Sequence, residues 1–397
     1  MHISPINFCG GTYHLYGQGE TKRDRYKNLD AELKTACIAR REGIDAPNYQ
    51  ALPFVSGEEL GVKYTIKGDP ASFRENPITE AHIDNLLQNF YLMDKMGLYH
   101  RNLSSPNIFY SKNGKVEIGS MREAAKYVRE GGGFSLINDY ELGFAMPSNA
   151  ECFETQNLCR YLNQIKDEGQ KQEFIRTYLQ QKSDYHKYRA ELLKSEGFKD
   201  TDEAVLYETA QSGAFKNPSD NVVNYIEDKL EITRVRKNAA IMWHKANGYL
   251  DGKINPKERF ASVIMMLNAL KSTVALRKSA EFLSETSNTP EERQYFGFEK
   301  ELLDIWAENI YEDTRNGGAD NFCNKDFGNG RGLFLGRGED RALFYEFFDE
   351  IDIKGDTDEA LKGIDTVIEY YRNLISEWTP EENREYKLHY LNQAVGT

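Results

Sequence analysis

A histidine, an arginine and two asparagines stand close together in the stretch GLYHRNLSSPNIF, residues 97–109. His100 carries the side chain that most often exchanges protons near neutral pH. Arg101 presents a fork of donors suited to phosphate or carboxylate. Asn102 and Asn107 offer amides, which orient a ligand or fill one place around a metal ion but take up no proton. Ser120 and Asp139 follow within forty residues, a hydroxyl and a carboxylate. Ahead of them lie the cations Lys22, Lys27, Lys34 and Lys63, and Glu32 as a partner for one of them. These types fit the handling of a phosphate group.

Other chemistries are poorly supplied. The seven histidines form no HExxH and no zinc spacing, and GxSxG does not occur. The acidic run DIDIKGDTDE, 350–359, lacks the residue order of a calcium loop. Cysteines at 9, 37, 152, 159 and 323 form no CxxC pair, which points to free thiols in a reducing compartment. The net charge is −13, and residues 1–150 hold 17 Lys and Arg against 18 Asp and Glu, so the acidity belongs to the remainder. Such a surface repels nucleic acid and anionic membranes. The first residues, MHISPINFCGG, lack the basic and apolar regions of a secretion signal, and the apolar run 260–270 is too short by itself to cross a bilayer. The expected compartment is cytoplasmic, or one reached by an export signal that these residues do not display.

The elements that must position these groups are legible from period and punctuation. Residues 29–43 read as a helix ending at Gly43, and 49–68 as two strands around a Ser-Gly turn. The Gly-rich stretch CGGTYHLYGQGE reads as a turn or short hairpin. Ile83, Leu86, Leu87, Phe90, Tyr91 and Met93 keep helical spacing, with Thr79 as cap and Gly97 as stop. Strands are expected at 107–111, 115–120 and 134–140. Beyond 150 the pattern turns to long amphipathic helices, near 153–166, 170–196, 218–247, 254–285, 290–314, 339–351 and 357–377, interrupted by the Gly-rich segment 315–340.

Helix, His100-Arg101-x-Leu103, Asn107, strand, turn at Gly114 and the strand Val116-x-Ile118 follow one another as in the eukaryotic-like protein kinases, whose loop reads H-R-D-L-x-x-x-x-N. The chain resembles that superfamily over roughly 1–260. Pro147 resembles the proline of the A-P-E motif, and Glu154 with Leu158 the start of the large C-lobe helix. The resemblance implies that His100 braces the loop and that Arg101 meets an acidic or phosphorylated segment. The departures fall on the chemistry. Asn102 stands where the family has its aspartate base, and Ser104 where it has a lysine. Ser120, within Ser120-Met121-Arg122, stands where it has the metal-binding DFG aspartate. A literal Asp326-Phe327-Gly328 lies far from the loop and follows no matching strand; near it Arg331 and Arg337 could form an anion nest. Gly10, Gly11, Gly17 and Gly19 do not spell a phosphate-covering loop.

The expected fold is therefore α+β, kinase-like and bilobal. Residues 1–70 form a reduced N-lobe, 71–260 a helical C-lobe and 261–397 a helical extension. The implied nucleotide residues are Lys22, Glu32, Asn107 and Ser120, with ATP and Mg²⁺ as the family's cofactors. Loss of the carboxylates at 102 and 120 points to a pseudokinase that binds a protein partner through its helical C-terminal part. Two alternatives remain open: a divergent active phosphotransferase using Asp139 and Asn107 for metal, and a helical interaction protein with no nucleotide site.

Overall fold

A computed structural model describes residues 12–47, 49, 53–56, 59–66, 68–70, 78–104, 107–129, 148–246, 256–316, 348–349 and 351–377. The chain divides into two compact units, Met1–Val223 and Asn224–Thr397. The described residues are mostly helical with a few short strands, an α+β content.

Unit one opens with strand β1 (Thr12–Tyr16), helix α1 (Lys22–Arg41), β2 (Pro53–Ser56) and β3 (Glu59–Thr65). These strands form an antiparallel sheet in the order β1–β3–β2, with Tyr16 opposite Gly61 and Ser56 opposite Glu59. Leu15, Leu29 and Val62 bury one face of it against α1. Helix α1 starts at a capping box in which Thr21 and Asp24 satisfy each other's backbone N–H groups. It therefore begins seven residues ahead of the expected start at 29. Its first two turns, KRDRYKN, are mostly exposed and carry no apolar period to betray them. The stretch expected as a hairpin supplies instead the edge strand β1, paired with β3.

Next come β4 (Asp69–Pro70), α2 (Glu80–Lys95), β5 (Ile108–Tyr110), β6 (Val116–Ile118) and α3 (Arg122–Arg129). The three strands form a second antiparallel sheet, in order β4–β5–β6. Helix α2 is capped by Thr79, as its sequence predicts, and buries Ile83, Leu86, Leu87, Phe90 and Met93. It stops where Gly97 adopts φ 64°, a conformation that costs glycine little. Gly114 turns the β5–β6 hairpin at φ 81°, and a Cβ there would stand 2.7 Å from that of Ala81. His82 ties helix to hairpin, its Nδ1 on the Thr79 cap and its Nε2 2.7 Å from the Ser111 carbonyl.

The helical remainder of unit one is α4 (Asn149–Phe153), a π turn (Glu154–Leu158), α5 (Cys159–Leu162), α6 (Glu168–Ser195) and α7 (Glu203–Lys216). Helix α6 packs on α2 and on α7. Helix α7 escaped the periodicity reading because its buried face mixes Val205, Ala210, Ala214 and Phe215 with Glu208 and Gln211. The division between the units falls inside α8 (Asp220–Ala246).

Unit two holds the rest of α8, α9 (Pro256–Thr286), α10 (Pro290–Asn316) and α11 (Thr357–Glu377). Helix α9 packs on α10 and α11, around Trp243, Phe260, Leu267, Leu270, Ile364 and Tyr371. Within α9, Phe260–Thr286 is long and apolar enough to cross a membrane by length and composition, well beyond the short run 260–270. Most of that window is buried inside the protein. The strand expected at 134–140 and all but the end of the helix at 339–351 lie outside the described residues.

Candidate functional site

The loop after α2 is held by amides. Leu98, Leu103 and His100 are buried. The His100 backbone N–H donates to Asn149 Oδ1 at 3.0 Å. Its Nε2–H donates to the Gly119 carbonyl at 2.8 Å, while Nδ1 accepts the Asn102 N–H at 3.3 Å. Both ring nitrogens are thus engaged in the neutral tautomer. Burial lowers the pKa to about 4, so His100 stays neutral at physiological pH and has no ring nitrogen left for a substrate. It is a brace between loop and hairpin. Arg101 is exposed on a left-handed backbone, φ 60°.

Asn107 closes the loop. Its Nδ2 donates to the Asn102 carbonyl at 2.8 Å and to Ser104 Oγ at 3.1 Å, and its own carbonyl accepts from the Gly119 N–H at 2.8 Å. The side-chain oxygen is what it retains for a ligand. Two further asparagines, which sequence reasoning missed, complete the frame. Asn149 Nδ2 donates to the Leu98 carbonyl at 2.9 Å and to Asp94 Oδ1 at 3.1 Å. Asn157, in the π turn, donates to the Leu103 carbonyl. They sit about fifty residues from their partners, with no local pattern to announce them.

Ser120 leaves β6 at φ 57°, half-buried, and α3 begins two residues later. Arg122 then reaches back to α1. Its Nε lies 3.3 Å from Glu32 Oε2 and its Nη2 donates to the Tyr16 carbonyl at 3.0 Å. Glu32 is almost fully buried, and burial, with Glu123 adding a smaller push, raises its pKa to about 7 against the pull of Arg122. The partner sought for Glu32 among upstream lysines is thus an arginine ninety residues downstream. Lys22 is exposed at the first position of α1, ten residues from Glu32 along the helix. A rise of roughly 1.5 Å per residue separates the two by about 15 Å, so they are not brought together. Lys27 is exposed, and Lys34 pairs with Asp30 at 2.7 Å. Lys63 enters the first sheet by its backbone, opposite His14, and its side chain lies outside the described residues.

Charge concentrates instead among the helices. Buried Asp94 Oδ2 accepts from Arg189 and from the Tyr185 hydroxyl, each at 2.6 Å. Arg189 Nε donates to Glu208 at 2.9 Å, and His186 Nδ1 lies 2.7 Å from the same carboxylate. Burial lowers His186 to about 4 despite that neighbour. Glu154, the residue matched to the start of the large helix, accepts from Tyr178 at 2.7 Å and Lys182 at 2.5 Å. These groups join α2, α6, α7 and the π turn, and Asp94 Oδ1 meets the loop's frame through Asn149.

Among the described residues no three His, Cys, Asp or Glu side chains gather to hold a metal ion. Around the loop the described donors are neutral amides and a hydroxyl, and the buried carboxylates Asp94 and Glu32 already meet Arg189 and Arg122. Magnesium prefers hard anionic oxygens, so the described donors do not fit it. Asp139, Asp326-Phe327-Gly328, Arg331 and Arg337 lie outside the described residues. No protein-family model, curated protein or solved structure matches the chain.

Proposed function

We propose that this chain is a kinase-like binding module, a pseudokinase, that does not perform efficient phosphoryl transfer. The observation that carries the reading is one contrast within a single loop. The scaffolding bonds, His100 to Gly119 and Asn107 to Asn102, are present, while the positions for base and metal carry Asn102 and Ser120. A positioned general base contributes roughly 10²–10⁴-fold, and an amide cannot supply it. Among the described residues, the buried carboxylate that meets the end of the hairpin, Glu32, is paired with Arg122. That pair supports the same reading, because it fastens α1 to the start of α3 with no lysine left between them to meet a phosphate. Binding, not turnover, is the work left to such a frame, and the helices supply its protein-facing surface.

A turnover assay tests this. Full-length chain is incubated with ATP and either Mg²⁺ or Mn²⁺, and phosphate release and self-phosphorylation are followed. The expected rate is that of buffer. Metal-dependent turnover that Asp139→Ala removes would replace this reading with the divergent phosphotransferase.

A further inference from the structure

A groove of about 580 Å³ opens between the starts of α2 and α6, and nothing in the loop or hairpin uses it. Its floor is apolar: Ile78 and Ile83 are buried, and half-buried Phe174 packs on Tyr161 with ring centroids 4.7 Å apart. Its rim is acidic: Glu80, Asp167 and Glu173 are all exposed, and its described lining contains no lysine, arginine or histidine. Asp167 spends one oxygen on the cap of α6, accepting the Gln170 N–H at 2.8 Å. Glu80 and Glu173 form no ion pair among the described residues, and nearby Lys171 turns to Glu168.

We infer that this groove docks a partner protein through a short segment in which lysine or arginine lies a few residues from leucine, isoleucine or phenylalanine. Charge complementarity decides the choice. An apolar floor inside a polar rim is the anatomy of a protein contact, and here the rim has one sign. A bare polycation would gain nothing from Ile78, Ile83 and Phe174. An uncharged apolar ligand would gain nothing from three carboxylates. A segment carrying both uses the whole groove, its cation drawn by the three rim carboxylates. The volume lies within the roughly 300–1,000 Å³ of built ligand sites, room for a few side chains but not a folded domain. The inference shares no residue with loop 98–107 or with Ser120–Arg122, and its test uses no nucleotide.

The probe is a displayed library of random ten-residue peptides, selected on the immobilised full chain. The best sequence is then synthesised with a fluorescein label, and binding is followed by anisotropy. Selection should enrich lysine and arginine next to large apolar residues. Glu173→Lys, and more so Glu80→Gln with Glu173→Lys, should weaken the labelled peptide about tenfold or more, and raising salt should weaken wild-type binding. Both sites are exposed, and unchanged thermal melts of the variants confirm that the fold survives. Failure to enrich basic–apolar sequences, or equal binding by wild type and double variant, overturns the inference. So does self-association that the double variant abolishes without any peptide being selected, which would make a second copy the occupant.

Discussion

Around His100 the polar groups of the loop are neutral, and Asn149 joins them to the carboxylate of Asp94. An imidazole, the amides of Asn107, Asn149 and Asn157, and backbone groups bond one another. Around Asp94, in the same unit, they are charged: two carboxylates, a guanidinium and a tyrosine hydroxyl are buried together beside His186. The loop that resembles a catalytic one is held mainly by bonds between neutral groups. The helices that merely support it hold the ions. Neutral networks fix geometry without storing a charge that a reaction could use, whereas buried ions lock helices together and make any lost partner costly. The difference teaches that a loop's hydrogen-bonded geometry and a supply of charge for chemistry are separable.

The comparison can be broken most severely at the charged end. Arg189→Met should destabilise the chain by about 3–5 kcal/mol, because it leaves Asp94 and Glu208 buried without their cation. Urea unfolding of the full chain reads this out. A loss under about 1 kcal/mol would mean that the helical network is not the mechanical anchor.

The next effect is a dependence on pH with two opposite limbs. Folded Glu32 holds its proton up to about pH 7 against an ordinary 4.5. Its contribution is therefore full below 4.5 and lost as pH rises through 7. Buried His100 and His186 titrate near 4 in place of 6.5. Their contribution is full above 6.5 and lost as pH falls toward 4. Glu32→Gln should flatten the neutral limb alone, by up to roughly 3 kcal/mol between pH 4.5 and 8. Melting temperature against pH, for wild type and variant, separates the limbs; parallel curves would contradict the assignment.

At the neutral end, Asn107→Ala removes two donated bonds from a half-buried loop and should cost about 1–2 kcal/mol, again by urea unfolding. A loss as large as that of Arg189→Met would erase the contrast. Smallest of all, Thr79→Ala should cost about 1 kcal/mol through the lost cap of α2, visible as a small drop in melting temperature.

Legibility in the sequence followed range. Helix α2, its Thr79 cap, the Gly97 stop and the hairpin turning at Gly114 were readable because each is a local pattern of period or punctuation. The first turns of α1 were not, since a capping box at Thr21 stands before an exposed, charged run. Helix α7 hid because Glu208 and Gln211 occupy positions where a periodicity reading expects apolar residues. The loop residues were legible as a set, from His100 to Asn107. Their partners were not. Asn149, Asn157 and the Glu32–Arg122 pair join segments that only the fold brings together. The cations expected for Glu32 were Lys22, Lys27, Lys34 and Lys63, while the residue that meets it, Arg122, follows the hairpin.

The most direct test of the central claim is thermal unfolding of the full chain with ATP alone and with ATP plus Mg²⁺. A ligand at a hundred times its dissociation constant adds about 2.7 kcal/mol, a shift of a few degrees for a chain of this size. Because the proposed reading puts Ser120 where a metal-binding aspartate would stand, the account predicts that Mg²⁺ adds nothing to whatever shift ATP produces. A further rise with Mg²⁺ that is lost in Asp139→Ala would contradict it.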